Sequence, residues 1–238
     1  MAVLAFDVDG TIFDSDSIIV DAFAGGIDDF MRRQPGARLD LPAKSDIIAQ
    51  IGNPAGAIFS ALFPGLDADS RSLMERLCTE RLSAMVRSGG GGLIDGAAET
   101  LAALARDGHR FLVASNGRIE YLRSILETHG LWRLFERPVL CIDRASGRRD
   151  KTDIVREYVR LHSSGNGVFV MIGDRGSDMA AARGNGVAFI GCAFGHAGDA
   201  EISSARHIAR RFGEIPALVK IIEASFPTPR IMHCGLLE

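Results

Sequence analysis

Val3-Leu4-Ala5-Phe6-Asp7-Val8-Asp9-Gly10-Thr11 is the stretch that decides how the rest of the chain is read. Four apolar residues in a row fit a strand buried on both faces, as in a parallel sheet, and the acidic cluster then marks its C-terminal end. Residues two apart on a strand project to the same side, which lets Asp7 and Asp9 face one site. Two carboxylates ~4 Å apart repel by about 4 kcal/mol at an effective dielectric of 20. A divalent cation, a proton held on one carboxyl, or separation of the two side chains would each offset that. A hard cation with oxygen ligands fits the first, and Mg²⁺ takes one or two carboxylates together with substrate phosphate. Gly10 permits a tight turn that leaves backbone N–H groups free for an anion. An acidic, solvated turn is the plain alternative.

Working outward, short apolar runs recur at 110–114, 138–142, 168–172 and 187–190. Helical patterns over 96–107, Ile119–Thr128, 152–161 and 177–184 lie between them. This alternation predicts an α/β fold with a doubly wound, mostly parallel sheet. Ligands of such sheets bind outside the carboxyl ends of the strands. Asp7–Thr11, Ser115-Asn116 and Gly173-Asp174-Arg175-Gly176-Ser177-Asp178 therefore share one edge.

The alternation breaks between about residues 15 and 87. Ile19, Phe23, Ile27 and Phe30 fall on one helical face, and Met74, Leu77, Arg81/Leu82 and Met85 nearly repeat it. Asn53-Pro54 and Pro64-Gly65 punctuate shorter helices. An all-helical insertion is expected, returning through Ser88-Gly89-Gly90-Gly91-Gly92, which reads either as a hinge or as a loose surface loop. Arg32, Arg33 and Lys44 in this segment read as substrate-binding cations or as a solvated helix face. Asn53 reads as a turn reaching the site or as a helix terminator.

Asp174 and Asp178 add two carboxylates one helical turn apart, suited to completing a metal site or to the first turn of a helix. Ser115 and Asn116 offer a hydroxyl and an amide to phosphate oxygens, although a turn needs the same residue types. Lys151 opens a helix, where the dipole disfavours a cation unless an anion compensates.

The ordered set Asp7/Asp9, Ser115, Lys151 and Asp174/Asp178, each at or near a strand end, resembles the haloacid dehalogenase superfamily. Within it the likeness is to phosphatases with an α-helical cap, in a branch of phosphoglycolate-phosphatase-like and small nucleotidase-like proteins. The resemblance spans the chain and implies a Rossmann-like core over residues 1–14 and 89–238 with the cap at 15–88. It implies that Asp7 attacks phosphorus to form an aspartyl-phosphate, while Asp9 protonates the leaving oxygen and then activates water. Mg²⁺ would be held by Asp7, the Asp9 carbonyl and Asp174, with Asp178 in support. Gly10, Thr11, Ser115, Asn116 and Lys151 would bind the phosphoryl group. Phosphatases and phosphomutases keep the second aspartate and the dehalogenases do not, so dehalogenation is not expected. No proline follows Lys151, and Arg175 follows Asp174 where the pattern often has serine; both departures loosen the substrate assignment and leave the mechanism.

The implied substrate is a small phosphorylated metabolite, phosphoglycolate or a nucleoside monophosphate foremost. A phosphomutase resembling β-phosphoglucomutase and a non-catalytic binding protein are the alternatives. The formal net charge of −3 offers no broad basic surface for nucleic acid or anionic membrane. No stretch approaches the ~20 apolar residues of a membrane span, and the acidic N-terminus leaves no room for a signal peptide. Cys78, Cys141, Cys192 and Cys234 form no CxxC pair, which suits reduced thiols in a cytoplasmic protein. The six histidines, 109, 129, 162, 196, 207 and 233, show no metal-ligand spacing and are expected on the surface or in packing. A monomer or homodimer is expected.

Overall fold

The computed structural model describes residues 1–162, 167–196 and 199–226. His233, Cys234 and Leu237-Glu238, and Ala197-Gly198, lie outside the described residues.

Five strands form a parallel sheet: β1 (Val3–Phe6), β4 (Arg110–Val113), β5 (Phe169–Gly173), β6 (Ala188–Cys192) and β7 (His207–Ala209). Their spatial order is β4-β1-β5-β6-β7, so β1 sits inside the sheet with β4 and β5 on either side. The all-apolar run 3–6 explains that position, because an interior parallel strand buries both faces. Leu4 and Phe6 join one core with Phe111, Val113, Val170 and Ile172. Val3 and Ala5 join the other with Leu112, Ala114 and Met171. Helices α5 (Ala97–Arg106), α6 (Ile119–Thr128) and α10 (Ile215–Ser225) cover the first face, and α7 (Lys151–His162) and α8 (Gly176–Gly184) the second. The doubly wound sheet read from the sequence is therefore present. A four-residue helix, α9 (Asp199–Ile202), precedes β7.

The run at 138–142 is not a strand. The chain touches the sheet edge at one residue, Phe135 against Phe111, and then reaches Pro138, which has no N–H to donate. The Leu140 amide donates instead to the Tyr158 hydroxyl at 2.7 Å. Conversely, β7 and α10 follow the last recognised run and extend the sheet by one more strand and its covering helix. Gly191-Cys192 form the end of β6, two residues beyond the apolar run read from the sequence.

Four helices lie between β1 and the rest of the sheet: α1 (Ile19–Arg33), α2 (Lys44–Gln50), α3 (Ala55–Leu62) and α4 (Ala68–Arg87). The predicted stripe of Ile19, Phe23, Ile27 and Phe30 is buried and packs with Met74, Leu77 and Cys78 of α4 and Phe59 of α3 in a separate core. The segment leaves through β2 (Phe13–Asp14) and returns through β3 (Gly92–Leu93), and these two strands pair antiparallel. Within the glycine run Gly90 and Gly91 are packed, against Ile18, Met85 and Phe13, while Gly89 and Gly92 meet open space. Gly91 has φ +72, and a Cβ there would collide with the Phe13 ring. Among the described residues no helix is long and apolar enough to cross a membrane.

Candidate active site

The strand ends do gather the expected side chains. Asp7 follows β1 directly, and its carboxylate is almost wholly buried. Lys151, the first residue of α7, is 1% exposed and places its Nζ 3.0 Å from Asp7 Oδ2. The same ammonium is hydrogen-bonded to Asp178 Oδ1. Burial alone would lower the Lys151 pKa, but the charges of Asp178 and Asp7 more than offset it and hold the amine protonated.

Asp174 leaves the end of β5 and is fixed from two sides. The Thr11 hydroxyl donates to its Oδ1 at 3.2 Å, and the His196 amide donates to its Oδ2 at 2.8 Å. Gly10, at φ +74, lies so close to Asp174 that a Cβ would collide with its carboxylate and with the His196 ring. The glycine is thus required by both conformation and space. Asp178, in the first turn of α8, accepts from the Arg175 amide at 2.9 Å.

Asp7, Asp174 and Asp178 each offer a ligand oxygen within 4.8 Å of the others. Three carboxylates with one ammonium leave a deficit of positive charge. Burial first, and then the Asp7 charge, raises the Asp174 carboxyl above its usual range. Burial likewise raises Asp178, against the pull of Lys151. Asp7 Oδ2 makes no well-directed hydrogen bond despite its burial, even with the lysine nearby. An all-oxygen donor set with a surplus of negative charge fits a hard divalent cation.

Asp9 does not join that side-chain cluster. The Tyr121 hydroxyl, from α6, donates to its Oδ1 at 2.6 Å. Burial above all, countered by the Tyr121 bond, pushes the Asp9 carboxyl up to about 6. The two aspartates read as facing one site thus differ: one faces the lysine and the acidic cluster, the other a tyrosine.

Ser115 and Asn116 follow β4 and are both buried. Ser115 Oγ accepts from the Gly117 amide at 3.2 Å. Asn116 Nδ2 donates to the Gly52 carbonyl at 2.8 Å, tying the sheet edge to the turn after α2. The Gly10 amide donates to Phe13 O at 2.8 Å and the Thr11 amide to Val8 O at 3.2 Å. Neither is left free for an anion, and the Thr11 side chain serves Asp174 instead.

A cavity opens from Asp7, Asp9, Ser115 and Asn116 toward α1, α3 and α4. Asn53 lines it. Arg32 instead pairs with Asp29 and borders a surface depression on the far side, and neither Arg33 nor Lys44 reaches the cavity. Three residues near the site escaped the sequence reading. Tyr121 stands in an amphipathic helix with nothing local to mark it, and Ser15 reads only as the start of the helical insertion. His196 was expected on the surface or in packing, yet its ring is 6% exposed and its Nε2 lies 2.9 Å from Asp16 Oδ1. Cys192 is buried, and burial holds its thiol well above the usual range, which disfavours the reactive thiolate.

Buried carboxylates and a buried lysine thus gather at the loop ends of a parallel α/β sheet, beside a helix-walled cavity. The sequence matches the model of the haloacid dehalogenase-like hydrolases over residues 4–192, and the chain belongs to that family. Among solved structures it is similar to a predicted phosphatase from Clostridium acetobutylicum, at 21% identity and a TM-score of 0.74, covering 93% of this chain and 97% of that one. A predicted phosphoglycolate phosphatase from Haemophilus somnus superposes with a TM-score of 0.75 at 19% identity, covering 92% and 97%. CbbY from Rhodobacter sphaeroides in complex with phosphate gives 0.73 at 18% identity, covering 92% and 99%. No curated protein matches the sequence.

Proposed function

We propose that the protein is a Mg²⁺-dependent phosphatase that hydrolyses a small phosphate monoester through an aspartyl-phosphate on Asp7. One observation carries this reading: Asp7 Oδ2 is buried without a directed hydrogen bond, beside Lys151 and near the Asp174/Asp178 pair, and Asp7 lines the cavity. A carboxylate so placed is available as a nucleophile. The family match and the similarity to a predicted phosphatase support the same class.

In this mechanism an Asp7 oxygen attacks phosphorus as the bond from phosphorus to the ester oxygen breaks. Asp9, whose burial favours the protonated carboxyl, gives its proton to that leaving oxygen. The Asp9 carboxylate then takes a proton from water as the water oxygen attacks phosphorus, and the bond from phosphorus to Asp7 breaks. Lys151 carries a fixed positive charge beside Asp7, and the Ser115 hydroxyl stands ready for the phosphoryl oxygens. Asp7, the Asp9 carbonyl and Asp174 would hold Mg²⁺, with Asp178 in support, and the bound ion would neutralise charge on the phosphoryl group. Residues 15–88 act as a cap over the site, joined to the core through the paired strands β2 and β3. The substrate is a small phosphorylated metabolite, with phosphoglycolate and nucleoside monophosphates as the first esters to try.

Phosphate release from a panel of esters, with Mg²⁺ or with EDTA, tests the reading. Wild type should turn over only with the metal, and Asp7→Asn should lose roughly 10³-fold or more. Release that persists in EDTA and in Asp7→Asn would sink it.

A further inference from the structure

The cavity has two ends of opposite character. Near Asp7 it is polar and charged. Toward the helices its wall is Ile19, Phe23, Ile51, Ile58 and Phe59. Phe23 and Phe59 stack face to face, with ring centroids 5.5 Å apart and planes 4° apart, and Phe63 continues the stack behind them. This wall belongs to a packed core and keeps its shape.

Among the described residues that line the cavity the cation is Arg118, and its charge is already engaged. Its Nη1 lies 2.9 Å from Glu75 Oε1 and its Nε 3.7 Å from Glu120 Oε2. A carboxylate or a second phosphate on the far side of the ester would lose its hydration against an apolar wall without gaining a cation. Two lining oxygens are buried without a well-directed hydrogen bond: Asn116 Oδ1, and Ser15 Oγ, which stands beside Asp9 and Tyr121. A few polar atoms against aromatic walls orient an uncharged ligand.

We propose that the alcohol portion of the substrate is a flat, uncharged, largely apolar ring with a hydrogen-bonding substituent, held between the Phe23–Phe59 wall and the oxygens of Ser15 and Asn116. The inference rests on the phosphate-ester reading above and narrows it. Phosphoglycolate and sugar bisphosphates carry charge where the cavity is apolar, whereas the base of a nucleoside monophosphate has the required character.

Two non-hydrolysable probes separate this from the hydrolysis itself. Titration calorimetry of the intact protein with Mg²⁺ compares benzylphosphonate with phosphonoacetate, which carries a carboxylate in place of the ring. Burial of one phenyl ring predicts benzylphosphonate tighter by about tenfold or more. Phe59→Leu should weaken benzylphosphonate several-fold, on the order of 5-fold, and leave phosphonoacetate unchanged. Thr79→Arg, on the cavity-facing side of α4, should strengthen phosphonoacetate and does not disturb the aromatic wall if Phe59→Leu fails to fold. Equal binding, preference for phosphonoacetate, or no benzylphosphonate binding at millimolar concentration overturns the inference. Selective benzylphosphonate binding by a protein that releases no phosphate from benzyl phosphate sustains it and overturns the hydrolysis reading instead.

Discussion

The sheet edge and the helical wall meet at one cavity and are built on opposite physics. At the edge, Asp7, Lys151, Asp174 and Asp178 are charged groups held out of water, each positioned by another charge, an amide or a hydroxyl. Such groups are costly to bury, and their arrangement tolerates little change because removing one strands its partner. The wall, by contrast, is made of interchangeable apolar side chains stacked in a core of their own. Hydrophobic walls tolerate volume-conserving swaps with modest loss. On the proposed function, reaction chemistry is concentrated in a few polar contacts that tolerate little change, and choice of substrate is spread over many soft ones.

That contrast can be broken at the edge first. Asp9→Asn leaves the shape of the site but removes the group proposed to donate and take the proton, and turnover should fall by about 10²–10⁴-fold. Steady-state kinetics would check it, and unchanged turnover would assign the proton transfer elsewhere. Tyr121→Phe is the subtler version. It removes the 2.6 Å bond to Asp9 Oδ1 without altering the ring. The expected result is a kcat lower by roughly tenfold at constant KM, with stability changed by about 1 kcal/mol. A change in KM alone would make Tyr121 a substrate contact and not a positioning residue for Asp9.

The connection between the two regions gives a third test, of stability. Gly91→Ala forces a Cβ into a positive-φ position against Phe13 and should cost about 1–3 kcal/mol. Gly92→Ala, one residue on, meets open space and should be neutral or stabilising by up to about 1 kcal/mol. Thermal melts of the pair would show whether the glycine run is packed at Gly91, as here, or behaves as slack chain with equal tolerance at both positions.

The smallest effect belongs to the helices. Hydrogen bonds from Arg81 and Arg32 hold the Asp29 carboxyl well below its usual range. A depressed carboxyl contributes stability that is complete above its unfolded pKa of ~3.9 and is lost as pH falls through the lower folded value. Below pH ~4 the melting temperature should thus fall less steeply in Asp29→Asn than in wild type. At neutral pH the variant should lose no more than about 1 kcal/mol, because the arginines are partly exposed. Parallel melting curves for both proteins below pH ~4 would show that this pair carries no acid dependence.

The edge was largely legible from sequence and the wall only in part, for a physical reason. Strand 3–6, the carboxylates two residues apart and Lys151 at a helix start are local patterns, and locality is what periodicity and spacing report. The burial of Ile19, Phe23, Ile27 and Phe30 was legible in the same way. Tyr121 meets Asp9, His196 meets Asp174 and Asp16, and Asn116 meets Gly52 only through the folded chain, and nothing within a helical turn of any of them marks the contact. The false strand at 138–142 shows the converse failure, since apolar composition suited a strand while Pro138 and the Tyr158 hydroxyl diverted the backbone. The amides of Gly10 and Thr11 looked free because a turn generally leaves donors over, yet this turn consumes both internally.

On the proposed function Asp7 carries the phosphoryl group between the ester and water. The measurement that meets it most directly is rapid acid quench of wild type during turnover of a reactive aryl phosphate, followed by mass spectrometry of the peptide containing Asp7. The account predicts a phosphorylated Asp7 in wild type that accumulates further in Asp9→Asn and is absent from Asp7→Asn. Turnover in wild type with no phosphorylated peptide, together with retained turnover in Asp7→Asn, would contradict it.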